Sequence, residues 1–130
     1  MRIITATILK LYQLHPYHMK KLIAVPSSNG LLDEHFGHCR QYALLFVEDN
    51  KIISESTIDA PPHEPGLLPK FLAEKGVTDV LTGGMGNRAI QIFNQHQVNV
   101  FVGTPKLAPN EIAEGFLNGN LEFSANYCDH

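Results

Sequence analysis

A change in the spacing of apolar residues constrains the fold of this chain most strongly. In the first half, apolar residues alternate or form short runs, in residues 20–26 (KKLIAVP), 42–48 (YALLFVE) and 51–59 (KIISESTID). This pattern predicts three strands. The turn pair Asp49-Asn50 separates the second strand from the third and predicts that they form a hairpin.

The second half of the chain alternates predicted helices with short apolar strands. One face of its first helix carries four apolar side chains, Leu67, Leu68, Phe71 and Leu72. Strands follow at residues 77–82 and 98–103, and helices follow near residues 87–96 and 109–119. Strand–helix–strand units pair in parallel with right-handed crossovers. Together with the hairpin, they predict an α/β fold whose mixed sheet is covered by helices.

Length and charge exclude several classes of protein. A chain of 130 residues suits one domain. The formal net charge of −3 argues against a broad nucleic-acid-binding surface. No apolar run reaches the roughly 18 residues of a membrane span. We therefore expect neither nucleic acid nor membrane among the partners.

The two ends of the chain differ in character from its body. Residues 1–18 (MRIITATILKLYQLHPYH) are basic and contain no acid, and they make a poor signal peptide. We interpret them as an appendage to a domain at residues 19–130. The only cysteines, Cys39 and Cys128, are too few and too far apart for a disulfide framework. A reducing, cytoplasmic setting is therefore expected.

The segment HFGHC, with the nearby Asp33, is the first candidate site. Its His35, His38 and Cys39 are residue types that hold zinc, copper(I) or iron–sulfur species. Gly37 would let the loop turn back so that the flanking side chains converge. The alternative is a loop in which one histidine caps a helix or bonds a carbonyl. The paired C-x-x-C spacing of a structural zinc site is absent, which argues against a closed zinc site.

A glycine-rich turn is the second candidate site. It lies between a predicted buried strand and a helix, and its candidate residues are Gly83, Gly84, Met85, Gly86 and Asn87. Glycines permit positive φ, and backbone N–H groups at a helix N-terminus attract anions. The G-K-[ST] ending of a phosphate-binding P-loop is absent. A tight turn without any ligand is the alternative.

Further histidines and the C-terminus supply other candidates. The terminal Cys128-Asp129-His130 places a thiol and an imidazole together as metal ligands, unless the terminus is frayed. His63, in the Pro-rich connection PPHEPG, is a weaker candidate, since it equally suits an exposed loop. His96 ends a predicted helix, where a cation suits the helix dipole, and is interpreted as structural.

Three segments together resemble the dinitrogenase iron–molybdenum cofactor-binding family, which includes NifX-like and NafY-like carriers and the C-terminal domain of NifB-like proteins. They are HFGHC after the first strand, LAEKGVTDVLTGGMGNRAIQIF, and the C-D-H tail. The resemblance extends from about Met19 to the C-terminus. It implies a ribonuclease H-like three-layer fold with a mixed sheet of about five strands.

The resemblance also implies a function. Family members bind a metal–sulfur cluster and pass it on without catalysing a reaction, so the cofactor here would be a transiently held iron–molybdenum cofactor or a related Mo/Fe–S cluster. His35 and His38 match the cluster contacts, within the motif that includes Phe36 and Gly37. The partners would be proteins that donate or accept the cluster, and the chain would be a monomer or a weak homo-oligomer.

The residues by themselves also allow two other functions, an enzyme and a regulatory module. A hydrolase could use His38 and Cys39 as base and nucleophile, although adjacent side chains rarely point at each other. A two-metal nuclease needs carboxylates on adjoining strands, whereas the aspartates are expected at strand ends or turns. A metal-responsive regulatory module that binds a partner protein is the third hypothesis.

Overall fold

Six strands form one mixed sheet in the computed structural model, which describes residues 19–125. They are β1 (Lys20–Ser28), β2 (Leu31–Leu32), β3 (Gln41–Glu48), β4 (Lys51–Asp59), β5 (Asp79–Leu81) and β6 (Asn99–Phe101). The main strands lie in the order β4-β3-β1-β5-β6, and β2 pairs with β1 alone. β3 is antiparallel to both of its neighbours, whereas the β1–β5 and β5–β6 pairs are parallel. The mixed sheet predicted from the sequence is confirmed.

Three helices cover the two faces of the sheet. They are α1 (Leu67–Glu74), α2 (Asn87–Gln95) and α3 (Pro109–Asn118). The face under α1 and α2 is filled by a cluster that includes Tyr42, Leu72 and Phe93, and the face under α3 by one that includes Leu45 and Ile112. Successive β3 residues point to opposite faces, so one strand contributes to both clusters. The α/β fold with helices covering the sheet is therefore confirmed.

The sixth strand comes from a turn that the sequence interpretation overlooked. Asn29 and Gly30 both have positive φ, 55° and 82°, and join β1 to the two-residue β2 in a tight hairpin. An Asn-Gly pair is the strongest short-range hairpin signal. The sheet therefore has one more strand than the five expected, and the long loop predicted for residues 27–41 is partly ordered by pairing.

The alternation predicted for β4 is broken by a β-bulge. The pairing register shifts between Phe46 and Val47, which pair with Ser54 and Ile52. Ile53 is therefore left without a partner in this register, and 56% of its surface is exposed. β4 lies at the edge of the sheet and is more exposed than a half-buried strand.

Helices α1 and α3 have prolines in their first turns and glycines after their ends, as the sequence predicted. Pro69 lies in the first turn of α1, and Pro109 opens α3. Gly76 follows α1 with a φ of 95°, and Gly119 ends α3 with a φ of 74°. Within residues 19–125, no helix is both long and apolar enough to cross a membrane. The predicted appendage at residues 1–18 lies outside the described residues, as do Cys128 and His130.

Candidate functional site

The HFGHC loop and the glycine-rich loop meet at one end of the parallel strands β1 and β5. β1 and β5 run parallel, so the loops that follow them leave from the same side. A single parallel bridge joins His35 to Gly84. Both loops thus lie at the carboxyl ends of the parallel strands, where open α/β sheets bind their ligands.

Phe36 fixes the HFGHC loop to the core. It begins a short 3-10 helix, Phe36–His38, and only 3% of its surface is exposed. Its ring packs 5.4 Å from that of Tyr42 and 5.6 Å from that of Phe93, measured between centroids. The Tyr42 hydroxyl donates a hydrogen bond to the Phe36 carbonyl. Because Phe36 is held inside, Gly37 and His38 remain on the exposed side of the turn.

A cavity of about 750 Å³ opens beside this turn. Its walls are residues 36–40, the connection at residues 59–66, the first turn of α1, and α2 from its start to Ile92. His38 and His63 face each other in it, with ring centroids 5.7 Å apart and planes inclined by 22°. The volume lies within the range of about 300–1,000 Å³ that is typical of ligand pockets.

The charges around the cavity are balanced, and a helix end adds positive potential. Arg40 and Arg88 line it together with Asp59 and Glu64. The Asp59 carboxylate already accepts a hydrogen bond from a glutamine amide. Gly86, which precedes α2, offers no side-chain cap, and the first N–H groups of a helix have no intrahelical partner. The positive end of the α2 dipole therefore favours an anion in the cavity.

Two glycines in the cavity wall are not required by the fold. Gly86 has extended backbone, with φ −69°, and a Cβ built there would meet no atom within 4 Å. A Cβ on Gly37, inside the 3-10 helix, would also meet nothing. Neither position needs a positive φ, so the missing side chains leave free space in the cavity wall.

The two histidines of HFGHC do not line the same cavity. His38 lines the large one, whereas His35 lines a smaller cleft beside Asp33 and Lys106. The His35 amide donates to the Asp33 carboxylate at 2.9 Å. Gly37 continues a helical turn instead of reversing the loop, so the expected convergence of His35 and His38 on one cavity does not occur. Their roles as ligands stay predictions.

Cys39 is buried and hydrogen-bonded. Only 5% of its surface is exposed, and its thiol donates to the carbonyls of Gln41, at 2.8 Å, and Ser27, at 3.2 Å. Burial raises the pKa of the thiol above its ordinary value, and the nearby Asp33 carboxylate adds to this. A neutral thiol is a poor nucleophile and a poor metal ligand, which weakens the His38–Cys39 hydrolase hypothesis.

The glycine-rich loop is divided between a buried and an exposed part. Gly83, Gly84 and Met85 are buried, whereas Gly86 lines the cavity and Asn87 is exposed at the start of α2. The Gly83 carbonyl accepts a hydrogen bond from the Gly103 amide at 2.9 Å. Gly83 thus ties the loop to the segment that follows β6, and the N–H groups nearest the cavity belong to the start of α2.

Two remaining predictions concern carboxylates and His96. Asp79 is the first residue of the inner strand β5, so it lies at a strand end, as expected. It lies at the edge of the sheet opposite the cavity, and its carboxylate accepts hydrogen bonds from Asn99 and Thr78 at 3.0 and 2.7 Å. His96 donates from Nδ1 to the Ile92 carbonyl at 2.9 Å and caps α2, as its structural interpretation predicted.

His63, Arg40 and Arg88 are the cavity residues to which the sequence interpretation gave little or no weight. The signal for His63 was present in the predicted hairpin. β3 and β4 pair Gln41 with Asp59, so residues just before β3 must lie beside residues just after β4. In the part of the chain that the structure describes, no three His, Cys, Asp or Glu side chains are grouped to hold a metal.

The profile of the family described as Dinitrogenase iron-molybdenum cofactor matches residues 19–119. The chain belongs to this family. A protein of Methanocaldococcus jannaschii named Uncharacterized protein MJ0580 is 30% identical over 105 residues, which is 77% of this chain and 88% of that protein. The family resemblance inferred from the sequence motifs is therefore confirmed.

Solved structures share the fold. The crystal structure of PH0822 is similar at 26% identity with a TM-score of 0.76, over 84% of this chain and 99% of that one. The apo form of the orange protein from Desulfovibrio gigas is similar at 22% identity with a TM-score of 0.68, over 84% of this chain and 97% of that one. At 22% identity, the similarity to the orange protein shows only that the fold is shared.

Proposed function

We propose that this protein is a non-catalytic carrier of an anionic metal–sulfur cluster, of the iron–molybdenum cofactor type or a simpler Mo/Fe–S species. The cluster would occupy the cavity between the HFGHC loop, the PPHEPG connection and the start of α2. Membership of a family named for the iron–molybdenum cofactor supports the chemical class of the ligand.

The free space beside Gly37 and Gly86 carries this proposal. A bulky inorganic cluster must approach the backbone closely to reach its N–H groups, and a Cβ at either position would occupy part of that approach. Since neither glycine is needed for a positive φ or for close packing, access for a ligand is a physical reason for the missing side chains.

The electrostatics of the cavity suit an anion that carries metal. The N-terminus of α2 supplies partial positive charge, and Arg40 and Arg88 supply guanidinium donors. Imidazoles such as that of His38 bind iron and copper as well as zinc. The buried, neutral thiol of Cys39 is poorly suited to nucleophilic catalysis, which favours a carrier over a hydrolase.

The exposure of His38 and His63 favours a cluster that is carried and passed on over one that is held permanently. His38 and His63 are exposed, so a donor or acceptor protein can approach a bound cluster directly. A cluster enclosed by protein on all sides would need local opening before transfer. The expected partners are therefore proteins that deliver or receive the cluster at this edge of the sheet.

Anaerobic reconstitution tests the proposal. Purified protein is incubated with iron, sulfide and molybdate, desalted, and examined by metal analysis and visible absorption. We expect retained metal and a charge-transfer spectrum in the wild type. His38→Ala should lose both, and His35→Ala reports whether the separate cleft contributes. His96→Ala, which changes an exposed histidine that does not line the cavity, is the matched control.

The comparison with an unrelated control protein decides the outcome. If the wild type leaves the desalting column with no more metal than a control protein of similar histidine content, the proposed function is wrong. If the double variant His35→Ala with His38→Ala keeps the wild-type spectrum, the cluster lies elsewhere on the chain.

A further inference from the structure

We infer that His63 is a metal ligand and forms, with His38, an open two-histidine pair that holds one metal of the cargo. This inference deepens the proposed function and rests on it for the identity of the cargo. The sequence motif suggested His35 as the partner of His38, whereas the geometry points to a residue 25 positions further along the chain.

The separation of the two rings fits a shared ion. A metal–nitrogen bond to imidazole is about 2 Å long, and the ring centre lies roughly 1 Å behind the nitrogen. Two imidazoles on one ion therefore place their centres about 5–6 Å apart for bond angles between tetrahedral and linear. The His38 and His63 centroids are 5.7 Å apart, which lies within this range. Their planes are inclined by 22°, so a shared ion requires both side chains to turn until one nitrogen of each ring points at it.

Rigid backbone holds His63 in this position. It follows Pro62 directly and lies two positions before Pro65, and proline fixes φ near −65°. At the start of the connection, the Ala60 amide donates to the Arg40 carbonyl at 2.8 Å, which ties it to the HFGHC loop. At its end, the Leu67 amide donates to the Glu64 carbonyl at 3.1 Å. The two histidines are thus presented from opposing walls whose spacing is fixed.

The remaining coordination positions face the cavity. Both imidazoles are exposed and border a space of about 750 Å³. An ion held by two protein nitrogens keeps positions for outside ligands, as in sites that exchange their ligands. Sulfide bridges of a cluster would occupy these positions, next to the N-terminus of α2. The pair would therefore anchor one corner of a cluster and leave the rest accessible for transfer.

Zinc alone tests the pair separately from the cluster. Zn²⁺ is titrated into the protein, and binding is followed by calorimetry and by the imidazole C–H signals in NMR spectra. We expect the signals of His38 and His63 to shift together. His38→Ala and His63→Ala should each weaken binding at least about tenfold, the scale on which even indirect partners of metal ligands act.

A double-mutant cycle shows whether the two histidines bind the same ion. Since they share one site, the double variant should bind Zn²⁺ no more weakly than either single variant. His96→Ala should leave the affinity within the error of the wild type. His63 lies in an exposed connection, so an unchanged melting temperature of His63→Ala confirms that the fold is intact.

The two proposals fail in different ways. If His63→Ala binds Zn²⁺ like the wild type, or if the losses from His38 and His63 simply add, the paired site is wrong. Should the wild type retain the reconstituted cluster and His63→Ala retain it equally, the inference also fails while the carrier function stands. If the wild type retains no cluster, the carrier function fails, and the zinc cycle alone then decides on the pair.

Discussion

Gly103 joins the C-terminal segment to the glycine-rich loop, and alanine at this position should release that segment. Its amide donates to the Gly83 carbonyl at 2.9 Å, and its carbonyl accepts from the Ser124 amide at 2.8 Å. Its φ is 76°, and a Cβ would lie 1.9 Å from the Ser124 carbonyl oxygen. Backbone stands on both sides of this contact, so no side-chain rotation can relieve it.

The expected loss of stability has two parts. Alanine in left-handed backbone costs about 1–2 kcal/mol. If the segment moves away, its hydrogen bond to Gly103 is lost, about 0.5–1.5 kcal/mol. The stacked contact between Phe101 and Phe123, with centroids 5.8 Å apart, would be lost as well, for another 0.5–1.5 kcal/mol or so. Gly103→Ala should therefore lower the free energy of unfolding by about 2–5 kcal/mol.

Gly119→Ala is the matched control. Gly119 has nearly the same φ, 74°, but a Cβ there would meet nothing within 4 Å. It should therefore show the backbone cost alone, about 1–2 kcal/mol in urea unfolding. Chymotrypsin should cut faster after the exposed Phe123 in Gly103→Ala but not in Gly119→Ala. Equal losses of stability in the two variants, with unchanged cleavage, would refute the role of Gly103 as an anchor.

Three further outcomes follow from the site. In a Cys128→Ser background, Cys39 should react with iodoacetamide far more slowly in native protein than in urea. The folded state raises the pKa of that thiol, so the thiol's contribution to the free energy of unfolding should be complete below about pH 9 and fall as the pH rises further. Urea titrations at pH 7 and 10 measure this fall. Gly86→Ala should lower the free energy of unfolding by no more than about 1 kcal/mol, since its φ suits alanine but alanine is a poorer N-cap than glycine, yet it should reduce cluster retention after reconstitution; full retention would contradict the role of the free space. Tyr42→Phe leaves the Phe36 carbonyl without its donor and should cost about 1–3 kcal/mol in unfolding experiments, whereas a change below about 0.5 kcal/mol would show that the turn does not depend on this bond.

Local patterns predicted most of the architecture. The apolar periodicity placed the five main strands and the three helices, because residues that face a core must repeat with the period of their own backbone. Glycine and proline marked the helix ends for a similarly local reason, since each restricts or permits particular φ values. The two-residue strand after Asn29-Gly30 was missed although its turn signal was present.

The bulge in β4 could not be predicted from such local patterns. Whether Ile52 or Ile53 faces α3 depends on how β4 pairs with β3, and one extra residue in the pairing reverses every later side chain. Hydrophobicity is the same for both isoleucines, so the sequence gives no preference between them. Pairing between strands made that choice and left Ile53 exposed.

The sequence by itself determined the order of the main elements, the family motifs and the two candidate loops, because these are patterns of residues near each other along the chain. Only the tertiary structure decided which ligands share a cavity. Burial of Phe36 turned His38 to one side of the loop and left His35 in another cleft. The register of β3 on β4 then placed His63 opposite His38, since packing between distant segments, and not spacing along the chain, fixes the distance between two side chains.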